Sequence, residues 1–325
     1  MSATGTATKD LRLPALRRFA LAITVLNLLG HTVLGFEQSW ASPLVALPTA
    51  YACELLLETI VAWQQRRRPR FLLAHDATAR QRTVCMVDFL LSPHITAMAV
   101  SMLLYPGERL WPVVFGTGVA IASKYVFRVT SPNGASRHFF NPSNFGITVT
   151  LLTFGEVGIA QPYMFTEKLS PTGAWVLPAI VIVAGTFLNA HFTRKLPLIA
   201  GWVGGFLAQA MLRWAVTGNL PLGSLMPLTG VALLLFTFYM VTDPATTPAP
   251  AGRQVAFGLS VAAMYGVLLG SHVVFTPFYA LTLASAVRGA MLWLAAVRAT
   301  RGALGKQAAA GATAPAWAAG TPLPR

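Results

Sequence analysis

Charge is what this sequence most lacks. Asp, Glu, Lys and Arg make up 10% of the 325 residues, where a soluble domain carries about 25%. Acidic side chains are the scarcer sign, 10 against 24 Lys and Arg. A chain so poor in charge cannot cover a water-facing surface. Cysteine is nearly absent too. Cys53 and Cys85 both fall inside apolar runs, at a spacing that fits no zinc site, iron–sulfur cluster or disulfide framework. They read as small buried side chains. No glycine-rich phosphate loop stands in strand context, and no hydrolase elbow occurs. The stretches GTGVA and GWVGG read as helix-packing glycines. A self-sufficient enzyme is not the expectation, because the sequence shows neither a nicotinamide-binding domain nor iron–sulfur ligands, and any redox role would call for partners.

What is present is apolar. Hydrophobic residues make up 55% of the chain, and the mean hydropathy is +0.60. A helix needs about 20 apolar residues to cross about 30 Å of hydrocarbon, and helix is the default there because backbone groups must pair internally. Ten segments qualify by apolarity: Leu16–Phe36, Pro43–Trp63, Val84–Tyr105, Leu110–Phe127, Asn141–Phe154, Ala174–Phe192, Leu198–Val216, Leu222–Val241, Gln254–Gly270 and Val273–Val297. The fifth is short and the second carries two glutamates. The expected fold class is all-α, a polytopic membrane bundle of about ten helices. Residues 1–15 form an N-terminal segment, 16–297 the bundle, and 298–325 a disordered tail. The first span follows Lys9, Arg12, Arg17 and Arg18 but is long for a signal-peptide core, so it reads as retained.

The net charge of +14 would suit a nucleic-acid binder. The basic residues instead sit in short clusters between apolar runs, so the expected partner is the bilayer, not nucleic acid. With the N-terminus in the cytoplasm, twenty Lys and Arg fall inside. Only Arg109, Lys168 and Arg213 fall outside, and Arg288 lies within the last span. Positive-inside asymmetry of this size supports an even number of spans, both termini cytoplasmic, in the plasma membrane. Trp40, Trp63, Trp111, Trp175 and Trp214 lie near span ends, as interfacial anchors do.

Two segments carry polar chemistry at helix ends. Arg137-His138-Phe139-Phe140-Asn141-Pro142-Ser143-Asn144-Phe145-Gly146 opens the fifth span. Tyr239-Met240-Val241-Thr242-Asp243-Pro244-Ala245-Thr246-Thr247-Pro248 closes the eighth on the same side. Asn is a strong N-cap and Pro a favoured first helical residue, so caps and stops are one reading. The other is a binding site lined by broken helices. Asp243 is the acid nearest it. Glu54, Glu58 and Asp88 share the same half of the bundle and are candidates for an ion or proton path. Glu54 and Glu58 lie four apart on one helix face, facing a cation, a proton path or an arginine such as Arg288. Phe140-Asn141-Pro142 is echoed by Phe275-Thr276-Pro277 at the start of the tenth span, as two inverted five-helix halves would produce. His94 and His191 fall in or near spans, and His31 and His272 near outer ends. All four read as structural or interfacial rather than as haem ligands.

The stretches SKYVFRV (Ser123–Val129), RHFFNPSNFG (Arg137–Gly146) and FYMVTDPATTP (Phe238–Pro248) resemble the RnfD/NqrB family of membrane electron-transport subunits. Closer still, they resemble stand-alone UnbU-like relatives encoded with enediyne biosynthesis genes. The resemblance spans roughly residues 80–295. It implies a ten-helix fold of two related halves that holds flavin, works with redox partner subunits and couples electron transfer to ion transport. Family members esterify FMN to the threonine of a Ser-Gly-Ala-Thr motif between the fifth and sixth spans. Here that loop has no such motif: Thr172-Gly173-Ala174 is followed by Trp175, and Thr166 is the loop's other threonine. The resemblance therefore implies a non-covalent flavin, FMN or riboflavin, near Asn141, Pro142, Asn144, Phe145, Gly146, Thr242, Asp243 and Pro244. Asn141 and Asn144 would supply amide hydrogen bonds and Phe145 a stacking face. Two other readings stay open: a permease that kept the fold without the cofactor, and a membrane scaffold whose polar motifs are only caps.

Overall fold

A computed structural model describes residues 12–36, 38–72, 77–130, 134, 136–159, 169–218, 223 and 225–312. It contains ten helices among the described residues, one for each apolar segment. They are α1 (Arg12–Leu29, continued by a π-helical turn, Gly30–Leu34), α2 (Ala41–Gln64), α3 (Ala79–Leu103), α4 (Trp111–Val126) and α5 (Pro142–Thr153). Then come α6 (Val176–His191), α7 (Leu196–Thr217), α8 (Val231–Leu235, continued by a π-helical turn, Phe236–Met240), α9 (Ala251–Gly270) and α10 (Thr276–Ala312).

Seven are long and apolar enough to cross a membrane: α1, α2, α3, α6, α7, α9 and α10. The chain is a polytopic membrane protein. α4, α5 and α8 are shorter. Pro227 and Gly230 interrupt the eighth apolar run, leaving a 3-10 turn at Met226–Thr229 before α8 begins. Twelve residues of α5 rise about 18 Å, well short of the hydrocarbon thickness. The last helix runs on to Ala312, past the boundary at 297 that apolarity alone marks. Ala, Lys and Gln in that stretch are good helix formers, so loss of apolarity ends the span without ending the helix.

The distribution of apolar side chains suits lipid. On α6, Val176, Ile180, Val183 and Phe187 recur at helical spacing and all point outward, Val183 at 69% exposure. Such a stripe is untenable in water and ordinary in hydrocarbon. All five tryptophans named above as anchors are exposed.

Helices close up where glycine permits. A Cβ on Gly258 of α9 would stand 2.5 Å from Leu198 O and 2.6 Å from Trp202 N. One on Gly201 of α7 would stand 2.5 Å from Val255 O. The backbones of α7 and α9 therefore touch directly, as small residues allow between membrane helices. Beside this seam lies an aromatic core of Trp202, Phe206, Phe236 and Tyr265. Trp202 and Phe206 are fully buried, and Trp202 Nε1 donates to Thr237 Oγ1 at 2.9 Å. Around it α1 packs on α3, α2 on α3 and α4, and α4 on α5. In the second half α6 packs on α8, α7 on α9, and α9 on α10, while α5 meets α10.

Two short antiparallel pairs trim the ends. β1 (Leu104–Tyr105) pairs with β4 (Gly158–Ile159). β2 (Arg128–Thr130) pairs with β3 (Ser136–His138), a hairpin leading directly into the Asn141 segment.

Candidate functional site

Asn141 joins the two polar segments. It is the N-cap of α5, with extended backbone (φ −65°, ψ 121°), and Pro142 follows at the first helical position. Its Oδ1 accepts from Asn144 N at 3.1 Å and from Ser143 Oγ at 2.9 Å. Its Nδ2 donates to Met240 O at 3.0 Å, reaching the last turn of α8. One side chain thus serves a free amide at the start of α5 and a free carbonyl at the end of α8. Asn141 and Asn144 are both buried.

Asn144 faces α10. Its Nδ2 donates to Phe278 O at 3.0 Å and to Thr282 Oγ1 at 2.8 Å. Thr148 adds contacts to the same two groups, at 3.2 and 2.8 Å. The Oδ1 of Asn144 is buried and has no partner among the described residues. Gly146 lies against Gly116 of α4, which lets α5 seat against that helix.

The aromatic faces here are already engaged. Phe145 stacks on Phe140 (centroids 4.5 Å apart, 29° between planes), and Phe127 packs against Phe139, Phe140 and Phe145. One face of the Phe145 ring is therefore taken by Phe140.

The Asp-Pro segment is a folded loop. Thr242 is buried and donates to Phe238 O at 2.6 Å. Asp243 Oδ1 accepts from Ala245 N at 3.0 Å and Oδ2 from Thr246 Oγ1 at 3.0 Å, so the carboxylate caps its own turn. Pro244 is exposed. Two cations clamp the loop through its carbonyls: Arg288 Nη1 donates to Thr246 O at 2.6 Å, and Lys195 Nζ to Pro248 O at 2.7 Å. Burial pushes the Lys195 ammonium down to about 8; Asp243 pulls the other way, and Arg288 adds to the depression.

The remaining candidate acids lie in separate ion pairs. Glu54 meets Lys124 Nζ at 2.7 Å and Tyr125 OH at 3.1 Å; Glu54 and Lys124 are both buried. Glu58 accepts from Arg67 (2.6 Å) and from Arg70 through both its guanidinium (2.7 and 2.9 Å) and its backbone N (2.9 Å). Asp88 forms a two-pronged pair with Arg17 at 2.7 and 2.8 Å. Arg288, the sequence-based candidate for pairing with the glutamates, goes to Thr246 O instead. The reason is geometric: Glu54 and Glu58 sit on α2 facing α4 and the 67–70 turn. Lys124 was missed as a partner because it reads as a topology-setting cation near a span end. The signal was there, since a lysine and a glutamate both inside apolar runs need each other.

Of the two loop threonines, Thr172 precedes the 3-10 turn Gly173–Trp175, and Thr166 lies outside the described residues.

No family model matches the chain. It is 29% identical over 292 residues to a subunit of the ion-translocating oxidoreductase complex of Pseudomonas paraeruginosa, covering 77% of this chain and 80% of that protein. The coverage takes in most of the helical bundle rather than one motif. The chain is a multi-pass membrane protein distantly homologous to a subunit of a multi-subunit ion-translocating oxidoreductase complex.

Proposed function

We propose that the chain is a membrane subunit of an ion-translocating electron-transfer complex and holds a non-covalent flavin at the Asn141–Asn144 helix break. The observation that carries the flavin is Asn144 Oδ1. It is a buried acceptor with no donor among the described residues, next in sequence to Phe145 of the aromatic cluster, in the motif that resembles RnfD/NqrB. An unmet buried acceptor costs about 1–3 kcal/mol, so a ligand N–H is its natural complement. The imide N–H of an isoalloxazine ring is such a donor. A flavin supplies one- and two-electron chemistry when bound. Asn144 would orient it. Asn141 would fix the α5–α8 junction against which it rests, and Phe145 and Phe140 would exclude water. Thr242, Asp243 and Pro244 would shape the far wall through the loop held by Arg288 and Lys195.

The two halves of the chain support the inverted-repeat part of this reading. Asn27 on α1 donates to Ile23 O (2.9 Å) and across to Met98 O of α3 (3.5 Å). Asn189 on α6 donates to Gly185 O (2.9 Å) and across to Phe238 O of α8 (2.8 Å). Each follows a leucine, and α1–α3 and α6–α8 are equivalent pairs if helix five plus n repeats helix n. In this reading both termini are cytoplasmic and the Asn-Pro and Asp-Pro segments open to the cytoplasm. Redox partner subunits would deliver or take electrons there. The UnbU-like motifs further point to a role beside enediyne-type biosynthesis, a part of the proposal that rests on those motifs alone.

A permease would need an acid free to bind a coupling ion. Glu54, Glu58 and Asp88 each already face a cation, and the carboxylate of Asp243, the first acid such a permease would use, caps its own turn.

The test is flavin extraction from protein purified in detergent from riboflavin-replete cells. Wild type should be yellow and release its flavin on denaturation. Asn144→Leu, which keeps size and removes the acceptor, should elute at the same volume and lose the colour. A colourless wild type overturns the cofactor assignment.

A further inference from the structure

The connection from α2 to α3 is the most basic stretch of the chain. Between Gln64 and Thr83 lie six arginines and one acid, Asp76. Positive charge beside a span end sets topology, but topology asks only for charge, not for a shaped site. Here the charge lines a groove of about 890 Å³ between the 67–70 turn and the first turns of α3. That volume falls within the ~300–1,000 Å³ of small-molecule sites. Two contacts fasten its walls together. Cys85 Sγ of α3 lies 3.5 Å from Arg70 O, and the Phe71 and Phe89 rings pack with centroids 5.5 Å apart.

Two guanidinium groups border the groove with donors to spare. Arg70 spends Nε and Nη2 on Glu58, and its Nη1 makes no hydrogen bond among the described residues. Arg80, on the α3 side, is exposed and makes no hydrogen bond or ion pair among the described residues. Charge here is out of balance. Four arginines, Arg17, Arg67, Arg70 and Arg80, stand against two carboxylates, Glu58 and Asp88. Asp88 also lines the groove, but Arg17 already holds it through two hydrogen bonds.

Depth separates the polar lining from the apolar. At about 1.5 Å per residue the 25 residues of α3 rise about 37 Å, more than the ~30 Å of hydrocarbon. The surplus belongs at the start of α3, where Arg80, Gln81 and Arg82 stand, because its end, Ala97–Leu103, is apolar but for Ser101. Arg80 and Gln81 therefore lie at headgroup level. Val84 and Phe89, about 6 and 13 Å further along the helix, line the same groove in hydrocarbon. A cationic mouth above an apolar wall is the outline of an anionic phospholipid, not of a free ion or a water-soluble partner.

We propose that this groove holds one anionic phospholipid, its phosphate between Arg70 and Arg80 and an acyl chain along Val84 and Phe89. A guanidinium binds phosphate through paired N–H donors, and a polybasic span end draws anionic lipid. Gln81 offers its Nε2 to the headgroup, since its Oε1 is spent on the Thr78 cap. The bound lipid ties the α2–α3 connection to α3 from outside the bundle, independently of any flavin at Asn144.

Native mass spectrometry of the full chain released from detergent tests it, with phosphatidylglycerol, phosphatidylcholine or inorganic phosphate added. Wild type should keep one phosphatidylglycerol under activation that strips phosphatidylcholine. Arg80→Gln removes a charge that has no structural partner and should weaken retention about fivefold. Val84→Glu puts a carboxylate on the apolar wall and should abolish it. Arg253→Gln, at an exposed arginine in the first turn of α9, should retain the lipid as wild type does. Equal retention of the two lipids overturns the site, as does retention unchanged in either groove variant. Displacement by excess inorganic phosphate overturns it too, because the ligand would then be a free anion. So does an Arg253→Gln loss equal to that of Arg80→Gln, because diffuse surface charge would then suffice.

Discussion

Asn141 Nδ2 and Met240 O lie 3.0 Å apart, so a single carboxamide ties the first turn of α5 to the last turn of α8, 99 residues along the chain. The two ends of that side chain do different work. Ser at this position would still cap α5 but could not reach α8, whereas Ala would do neither. N-cap loss costs about 0.5–2 kcal/mol, and an interhelical hydrogen bond in a membrane about 0.6 kcal/mol on average. Thermal unfolding in detergent should therefore rank wild type above Asn141→Ser, and Asn141→Ser above Asn141→Ala. Equal midpoints for Ser and Ala would show that the cap contributes nothing.

Glu54 and Lys124 form the most deeply buried ion pair among the described residues. Removing one partner leaves a charge without its counterion, a loss of about 3–5 kcal/mol. Removing both leaves two apolar side chains in an apolar place, often neutral or stabilising. Lys124→Met should thus unfold at markedly lower temperature, and Glu54→Leu with Lys124→Met should recover most of the loss. A double variant as weak as the sum of its singles would mean that the charges matter for something other than each other.

Which of this was visible in the sequence follows from what hydrocarbon demands. Lipid requires long apolar runs, so apolarity alone marks out the helices one by one, the short fifth segment among them. Nothing in the sequence says which helices touch. The partner of Glu54 lies 70 residues away on α4, and the partners of His94 come from α1 and α2. Pairing depends on where glycines let backbones approach, and that is a property of two surfaces at once. The engaged ring of Phe145 was hidden for the same reason: stacking on Phe140 fills a face that looks free in a motif.

Glycine position supplies a third prediction. Gly258→Ala adds a methyl group against the backbone of α7, where nothing flexible can move aside. Overpacking of this kind costs about 1–3 kcal/mol. At Gly204, on the same helix pair, an added Cβ meets nothing within 4 Å, and alanine there should hold or raise the melting temperature. Melting curves that fail to separate Gly258→Ala from Gly204→Ala would refute backbone contact between α7 and α9.

Lys195 gives a pH dependence with a definite sign. Its folded value lies near 8, below the ordinary 10.5. Between those two values the unfolded chain binds the proton that the folded chain has released, so stability rises as pH increases across that window. Below about 8 the folded protein carries the whole cost of a buried ammonium, offset in part by its bond to Pro248 O. Lys195→Met has no such group. The difference in melting temperature between wild type and Lys195→Met should therefore shift in favour of wild type from about pH 8 to about pH 10. Subtracting the variant removes every other group that titrates in that range. A difference that stays flat would show that burial does not depress the ammonium, and one that moves toward the variant would show that its partners hold the proton more tightly than burial repels it.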